Sequence, residues 1–481
     1  QIPYSASVVH PKHLTTLMSA IKGVALSARV VGEDPLLDRS VSTWVHEDLS
    51  SRGGSNEWAV TYFDQPIPIP PYLVAIVVGE LESRSLGPRS SVWAEPSVVE
   101  KAHWEFADTE KMIDVAIDRC GEYRWGVFDL LVLPPSFPYG GMENPCLTFV
   151  TPTLIAGDRS QTAVVAHELA HSWSGNLVTN ATWEHFWINE GLTVFTETKI
   201  VQKIFGMETG AIRMEEGWQH VHDDMNRFGM DHRFTCLCPR LQIGEDPDDS
   251  FSSVPYEKGA SLFWHIESVI GEDVMKSTIR HYFDTFALKT ITSEALREYF
   301  IKQHPKLETE VNWSRWFHEP GMPLFKPKYD AAPVQEAVDL ASQWESAGDA
   351  AAALQHQTKA AVASWPSSKK CVFLNTLSKN RKLSFESVST LVNGYGFTSC
   401  NAEIRCSVLS LWLPLWKDGL DRAPLTLAHA LVKEQGRMKF TRPTYRAWVA
   451  VDPQGARDAF AALQGSYHPI CSKMVARDLG V

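Results

Sequence analysis

His167-Glu168-Leu169-Ala170-His171 and Trp187-Ile188-Asn189-Glu190-Gly191, whose Glu190 lies nineteen residues beyond His171, are the stretches whose reading decides this chain. On a helix, residues four apart share one face, so both imidazoles reach a single ion while Glu168 sits beside them. With 17 histidines in the chain, an H-E-x-x-H string arises by accident in roughly 4 of 100 sequences of this composition, so its surroundings must decide. A catalytic zinc needs three protein ligands and an open fourth position. The separation to Glu190 leaves room for one helix to end, turn and return with a carboxylate for the same ion. The plainer alternative, two core histidines satisfied by neighbours, leaves that carboxylate unexplained. The expectation is one Zn2+ held by His167, His171 and Glu190, with Glu168 taking a proton from an attacking water and passing it to the leaving amine. The oxyanion so formed needs a further stabiliser, a task that suits a tyrosine hydroxyl.

The pattern around these stretches extends in both directions. Gln161 to Ser174 reads as a helix burying Val164, Val165 and Leu169, and Asn189 to Phe205 as a second, ending near Gly206. Upstream, Trp104 to Gly121 has helical spacing, and Tyr123 to Leu133 reads as a strand running into Pro134 and Pro135. Residues 1 to about 80 read as β structure: Val60, Tyr62 and Leu73 to Val78 favour strands, and Pro66 to Pro71 break any helix between them. Pro320 to Pro333 holds four prolines and no period, the mark of a linker. Beyond it the chain turns helix-rich, with Ala350 to Ala353, Leu409 to Trp416 and Ala459 to Leu463 as apolar bands of layered helix pairs. The expected units are therefore residues 1–80 (β), 81–319 (catalytic), 320–334 (linker) and 335–481 (helical).

At 481 residues the chain exceeds one compact core. Its net charge of −12 is spread along the sequence, which argues against nucleic acid or an anionic membrane as a partner. No apolar run reaches the ~18 residues of a membrane span, and Gln1 opens no signal-peptide pattern. The eight cysteines, Cys120, Cys146, Cys236, Cys238, Cys371, Cys400, Cys406 and Cys471, show no disulfide-framework spacing. Reduced thiols and a cytoplasmic location are expected.

Gly140-Gly141-Met142-Glu143-Asn144 resembles the G-x-M-E-N motif of the gluzincin zinc aminopeptidases, placed ahead of H-E-x-x-H-x18-E. Within them, Leu131–Leu154, His171–Asn180, Ser252–Gly259 and Gly436–Pro443 resemble the leukotriene A(4) hydrolase family, sister to aminopeptidase B. The resemblance spans essentially the whole chain. It implies a multidomain α+β fold: a partial β domain, a thermolysin-like α/β zinc catalytic domain and a carboxyl-terminal all-α helical domain. It implies that Glu143 binds the free α-amino group of a peptide, with Gly140, Gly141, Met142 and Tyr139 in the substrate site. Tyr256 then steadies the oxyanion or donates a proton, and Arg437 with Lys439 grips the substrate carboxylate. Asp248 matches the aspartate that places water in the epoxide reaction and favours basic amino ends. Trp183, Phe186 and Trp187 are further candidates to line the pocket.

Two departures stand out. Phe251 occupies the place of a second family tyrosine, which predicts altered product geometry or inactivation by the lipid. The match also begins partway into the family's β domain, with roughly 130 residues lacking a counterpart, so unpaired edges and weak solubility are expected of this chain alone. The functions implied are removal of the amino-terminal residue from short peptides and conversion of leukotriene A(4), an unsaturated fatty-acid epoxide, to leukotriene B(4). A third reading is a weakly active interaction protein built on a truncated peptidase.

Overall fold

Residues 1–23, 26–27 and 58–481 are described by the structure, a computed structural model; part of the stretch read as β, 28–57, lies outside them. Ile2–Pro11 pairs antiparallel with Trp58–Ile69, and Ile21–Lys22 and Leu26–Ser27 pair with the same long strand. Pro66 and Pro68 have no N–H to give to a ladder, and the register slips there, between Ile2 and Tyr4. Thr15–Met18 pairs with Ile76–Gly79.

A five-stranded mixed sheet follows, in the order Gly141–Met142, Cys146–Val150, Phe128–Val132, Ser91–Ala94, Glu82–Ser85. Its three inner strands run parallel. Alternate residues of one strand serve two cores, as the two-residue period of a strand requires. Leu130 packs with the helices, whereas Leu131 meets Leu17 and Val77 of the amino-terminal strands. The sheet is thus covered on both faces, which explains its apolar strands.

The helical period from Trp104 resolves into two helices, α1 (Val99–Glu105) and α2 (Thr109–Cys120). The Thr109 hydroxyl donates to the Phe106 carbonyl and caps the end of the first, while Asp108 is drawn to Lys111 and Arg159. The strand expected from Tyr123 starts only at Phe128, after Gly126 turns the chain at a φ of +80°. Next come α3 (Ala163–Ala170), α4 (Phe186–Phe205) and α5 (Met207–Phe228). A π-helical turn, Val254–Lys258, leads into α6 (Gly259–Ile270). Helix α4 is the axis of this domain: every residue from Trp187 to Val201 is buried, seven of them polar or charged. An amphipathic surface helix buries one stripe only. Polar groups enclosed on all sides need a use.

Among the described residues, nine helices from Ala332–Ala347 to Pro469–Leu479 form the carboxyl-terminal part, with a hydrophobic core of their own. Helix 332–347 packs on 367–380, which packs on 402–412, then 438–449 and 469–479, so alternate helices stack in a row. Residues 319–331 hold no helix or strand, and Pro333 sits in the first turn of the helix that follows, where its missing N–H costs nothing. The helical part is strapped to the catalytic part by backbone bonds, from Gly436 N–H to the Pro135 carbonyl (2.7 Å) and from Met438 N–H to the Pro138 carbonyl (2.9 Å). The architecture is the multidomain α+β arrangement that the sequence reading expects. No helix among the described residues is long and apolar enough to cross a membrane.

Candidate active site

The last turn of α3 carries His167, and His171 follows at its end, still in helical conformation. Their Nε2 atoms lie 3.2 Å apart. Glu190, on the first turns of α4, brings Oε2 to 3.3 Å from one and 3.2 Å from the other. Three donors at the corners of a near-equilateral triangle have a simple meaning. A tetrahedron of ~2.0 Å bonds, the length usual for zinc to nitrogen or oxygen, has edges of about 3.3 Å. The second nitrogen of each ring is also accounted for: His171 Nδ1–H donates to the Ser174 carbonyl (2.8 Å) and His167 Nδ1–H to Glu197 Oε2 (3.0 Å). Both partners can only accept, so the protons sit on Nδ1 and both Nε2 lone pairs face the triangle. Glu190 Oε2 is buried without a hydrogen-bond partner. The residues present fit a tetrahedral zinc site.

The electrostatics ask for the same thing. Burial opposes charge on His171, yet Glu190 and Glu143 lift its pKa to about 9. Burial likewise opposes charge on Glu190, but the two imidazoles hold it at about 2. Positive charge is what this pocket stabilises, and a divalent cation supplies it.

Glu143, Glu168 and His171 also converge, with one donor atom from each within 4.8 Å of the others. The Glu168 carboxyl is raised by burial, against the pull of both histidines. Two glycines make this closeness possible. A Cβ at Gly141, on the edge strand, would collide with the Glu168 carboxylate, and one at Gly140 would lie 2.9 Å from an Arg437 guanidinium nitrogen. The edge strand therefore passes between Glu168 and Arg437 with no side chain to spare. Asn176 Nδ2 donates to the Glu143 carbonyl (2.8 Å) and fixes that turn. Met142 packs beside Ile69, Leu73 and Trp125.

Tyr256 arrives on the π-helical turn, a distortion found often at functional sites. Its ring stacks on His167, 6.0 Å between centroids. Burial and the neighbouring Glu190, Glu143 and Glu168 hold its hydroxyl protonated. What sets this distance is the crossing of α4 and α6, where Gly191 and Gly259 meet backbone to backbone: a Cβ on Gly191 would come to 2.7 Å of the Gly259 Cα. Phe186 and Phe251 flank the Tyr256 ring, each with its centroid 6.1 Å away, and Trp183 packs on Phe186. Trp187 corrects the sequence expectation. It lines no pocket; it is fully buried against Phe263 and Phe317, with its Nε1–H on Ser293.

At the junction with the helical part, Arg437 is buried and donates to Thr153 Oγ1 (3.2 Å). Lys439 Nζ is 2.6 Å from Glu403, and Arg437 3.8 Å from the same carboxylate. Asp248 stands apart, exposed on the one-turn helix Pro247–Ser250. Partial shielding from water and the neighbouring Asp246 raise its carboxyl, and the Asp248 charge adds to the burial that raises the Tyr139 hydroxyl.

Three groups escaped the sequence reading. Glu197 lies seven residues after Glu190, two turns on along the same helix face, a spacing that could have revealed it. Tyr72 follows Pro70-Pro71, and partial shielding from water, with Glu143 and Glu190 nearby, raises its hydroxyl. Glu403 gave no local signal, since its partners are thirty residues or more away in sequence.

Residues 104–316 match the peptidase family M1 domain, and residues 365–479 match the carboxyl-terminal domain of leukotriene A4 hydrolase. The chain is 38% identical to leukotriene A-4 hydrolase of Xenopus laevis over 99% of its own length and 74% of that protein's. It is 40% identical to leucine aminopeptidase 2 of Emericella nidulans over 87% of this chain and 68% of the relative. The solved structure of yeast LTA4 hydrolase in complex with bestatin superposes with a TM-score of 0.85 at 32% identity, covering 100% of this chain and 75% of that one. With both domain matches in order along one chain, and the convergent His167, His171 and Glu190 within the first, the protein belongs to the M1 zinc metallopeptidases, in the family of leukotriene A4 hydrolase and its aminopeptidase relatives.

Proposed function

We propose that this chain is a zinc aminopeptidase that removes the first residue from short peptides, with one zinc ion held by His167, His171 and Glu190. The observation that carries the reading is the closeness of Glu143 to Glu168 and His171, with donor atoms within 4.8 Å. A carboxylate so near the hydrolytic centre pairs with an ammonium only when that ammonium belongs to the residue whose own carbonyl is cut. When bound, the ion supplies Lewis acidity, which brings a coordinated water to a pKa of ~7. Glu168 accepts the proton of the attacking water, a step that burial favours by raising its affinity for protons, and passes it to the leaving amine, which is the stronger base. Tyr256, kept protonated, donates a hydrogen bond to the carbonyl oxygen as charge develops there. Arg437, with Lys439, takes the carboxylate at the far end, which limits the peptide to a few residues. An alanyl or arginyl chromogenic amide should be cleaved and its N-acetylated form left intact; equal hydrolysis of both would overturn the assignment.

A second activity, opening of an unsaturated fatty-acid epoxide, is favoured by a cation pair fit for a lipid carboxylate, Arg437 with Lys439, and Asp248 is the candidate to place the attacking water. Asp248→Asn should lose epoxide opening and keep peptidase turnover; if both activities fall together, Asp248 has no separate role. We further read residues 1–80, 81–319, 320–334 and 335–481 as β domain, catalytic domain, linker and helical domain, since the clusters centred on Val92–Phe317 and Ala337–Leu479 are separate. Eight free cysteines suit a cytoplasmic setting.

A further inference from the structure

Helix α5 sends one cation into the layer beneath the metal triad. Arg213 Nε donates to Glu197 Oε1 (2.8 Å), and one terminal nitrogen reaches Glu197 Oε2 (3.4 Å). The other terminal nitrogen donates to Glu257 Oε1 (3.0 Å). Glu197 is the carboxylate that accepts His167 Nδ1–H, and Glu257 adjoins Tyr256 on the π-helical turn. Side-chain exposure is 4% for Glu197, 12% for Glu257 and 19% for Arg213, so water does little to separate the three. One turn along α5, Gly217 makes the contact possible, because a Cβ there would collide with the Glu257 carboxylate. Two enclosed carboxylates therefore share one guanidinium, whose planar fork reaches both at once.

We infer that Arg213 is a positioning residue serving both halves of the site: through Glu197 it fixes the His167 ring, and through Glu257 it anchors the turn that presents Tyr256. The inference rests on the reading of His167 as a metal ligand. Removing the cation leaves two buried anions without compensation, and Glu197 free to swing away from the imidazole. Partners behind a metal-bound histidine typically change metal affinity or activity by 10–100-fold when lost. A lysine restores the charge and not the fork.

The test uses the full chain, loaded with zinc, as parent, Arg213→Met, Arg213→Lys and Glu257→Gln. Zinc release to a chelator, the visible spectrum of the cobalt(II)-substituted proteins, and kcat and KM are measured for each. Arg213→Met should release zinc at least roughly tenfold faster, shift the cobalt spectrum and lower kcat with little change in KM, and Arg213→Lys should fall between it and the parent. Glu257→Gln weakens only the link to the turn, leaving a neutral hydrogen bond where there was an ion pair, so it should lower kcat and release zinc at the parental rate; it also stands in should Arg213→Met fail to fold. Parental zinc release with an unchanged cobalt spectrum in Arg213→Met, or parental kcat in Glu257→Gln, would overturn the inference while leaving the metal site intact. A parent that binds no zinc would overturn the ligand reading itself.

Discussion

Gly141→Ala probes the role of Glu168 without substituting either the acid or the proposed metal ligands. Gly141 has an extended backbone, open to any residue, in an edge strand that pairs with Val150. The nearest obstacle to a methyl group is the Glu168 side chain, whose carboxylate and Cγ occupy the space. Overpacking costs about 1–3 kcal/mol. The alanine also stiffens the unfolded chain, which returns roughly 0.4–1 kcal/mol, and Glu168 can swing aside, so stability should fall by about 2 kcal/mol at most. Activity should fall much further. A general base displaced by ~1 Å loses on the order of 100-fold in rate, or about 2.7 kcal/mol of barrier. The assay is kcat/KM on an alanyl chromogenic amide, with zinc content and melting temperature measured on the same preparation. The expected variant keeps its zinc, melts within a few degrees of the parent and is nearly inactive. A variant within twofold of parental kcat would refute the placement of Glu168 as the group that moves the proton.

Two further outcomes follow from the geometry. Arg437→Ala should raise KM by roughly 10- to 100-fold for tripeptides with a free carboxyl end, the worth of a hydrogen bond to a charged group. Carboxyl-amidated versions of the same peptides should barely change, and equal losses for both would remove Arg437 from substrate recognition. Burial raises the Cys120 and Cys146 thiols to about 12, so at pH 8 the thiolate is scarce and alkylation should run roughly a thousandfold slower than in the unfolded chain. Mass spectrometry of iodoacetamide-treated native protein checks this, and rapid labelling of either residue would contradict their burial.

What the sequence made legible was local or periodic. His167 and His171 are four apart on a helix, and Glu190 opens the next helical run, so one helix face and one turn bring the three together. The stacked helices beyond Ala332 show as apolar bands with a linker ahead of them. Other features depend on contacts between distant parts of the chain. At the break at Phe106–Asp108 the Thr109 hydroxyl and Arg159 Nε take the Phe106 and Trp104 carbonyls, groups that a continuous helix would use. Trp187 looked like a pocket residue because it adjoins the motif, but its face of α4 turns to Phe263 and Phe317. Gly191 and Gly259 read as ordinary glycines until two helix axes are seen to cross there. Arg213 and Glu403 are charged residues on helices, and such residues usually face solvent. Only their partners, Glu197 and Glu257 for one and Lys439 for the other, reveal a use.

The most direct test of this account is the position of the metal itself. Crystals of the zinc-loaded chain, measured across the zinc absorption edge, should show one anomalous peak inside the triangle, about 2.0–2.2 Å from His167 Nε2, His171 Nε2 and Glu190 Oε2. A peak bound by other residues, or a zinc-loaded crystal with no density between those three atoms, would contradict it.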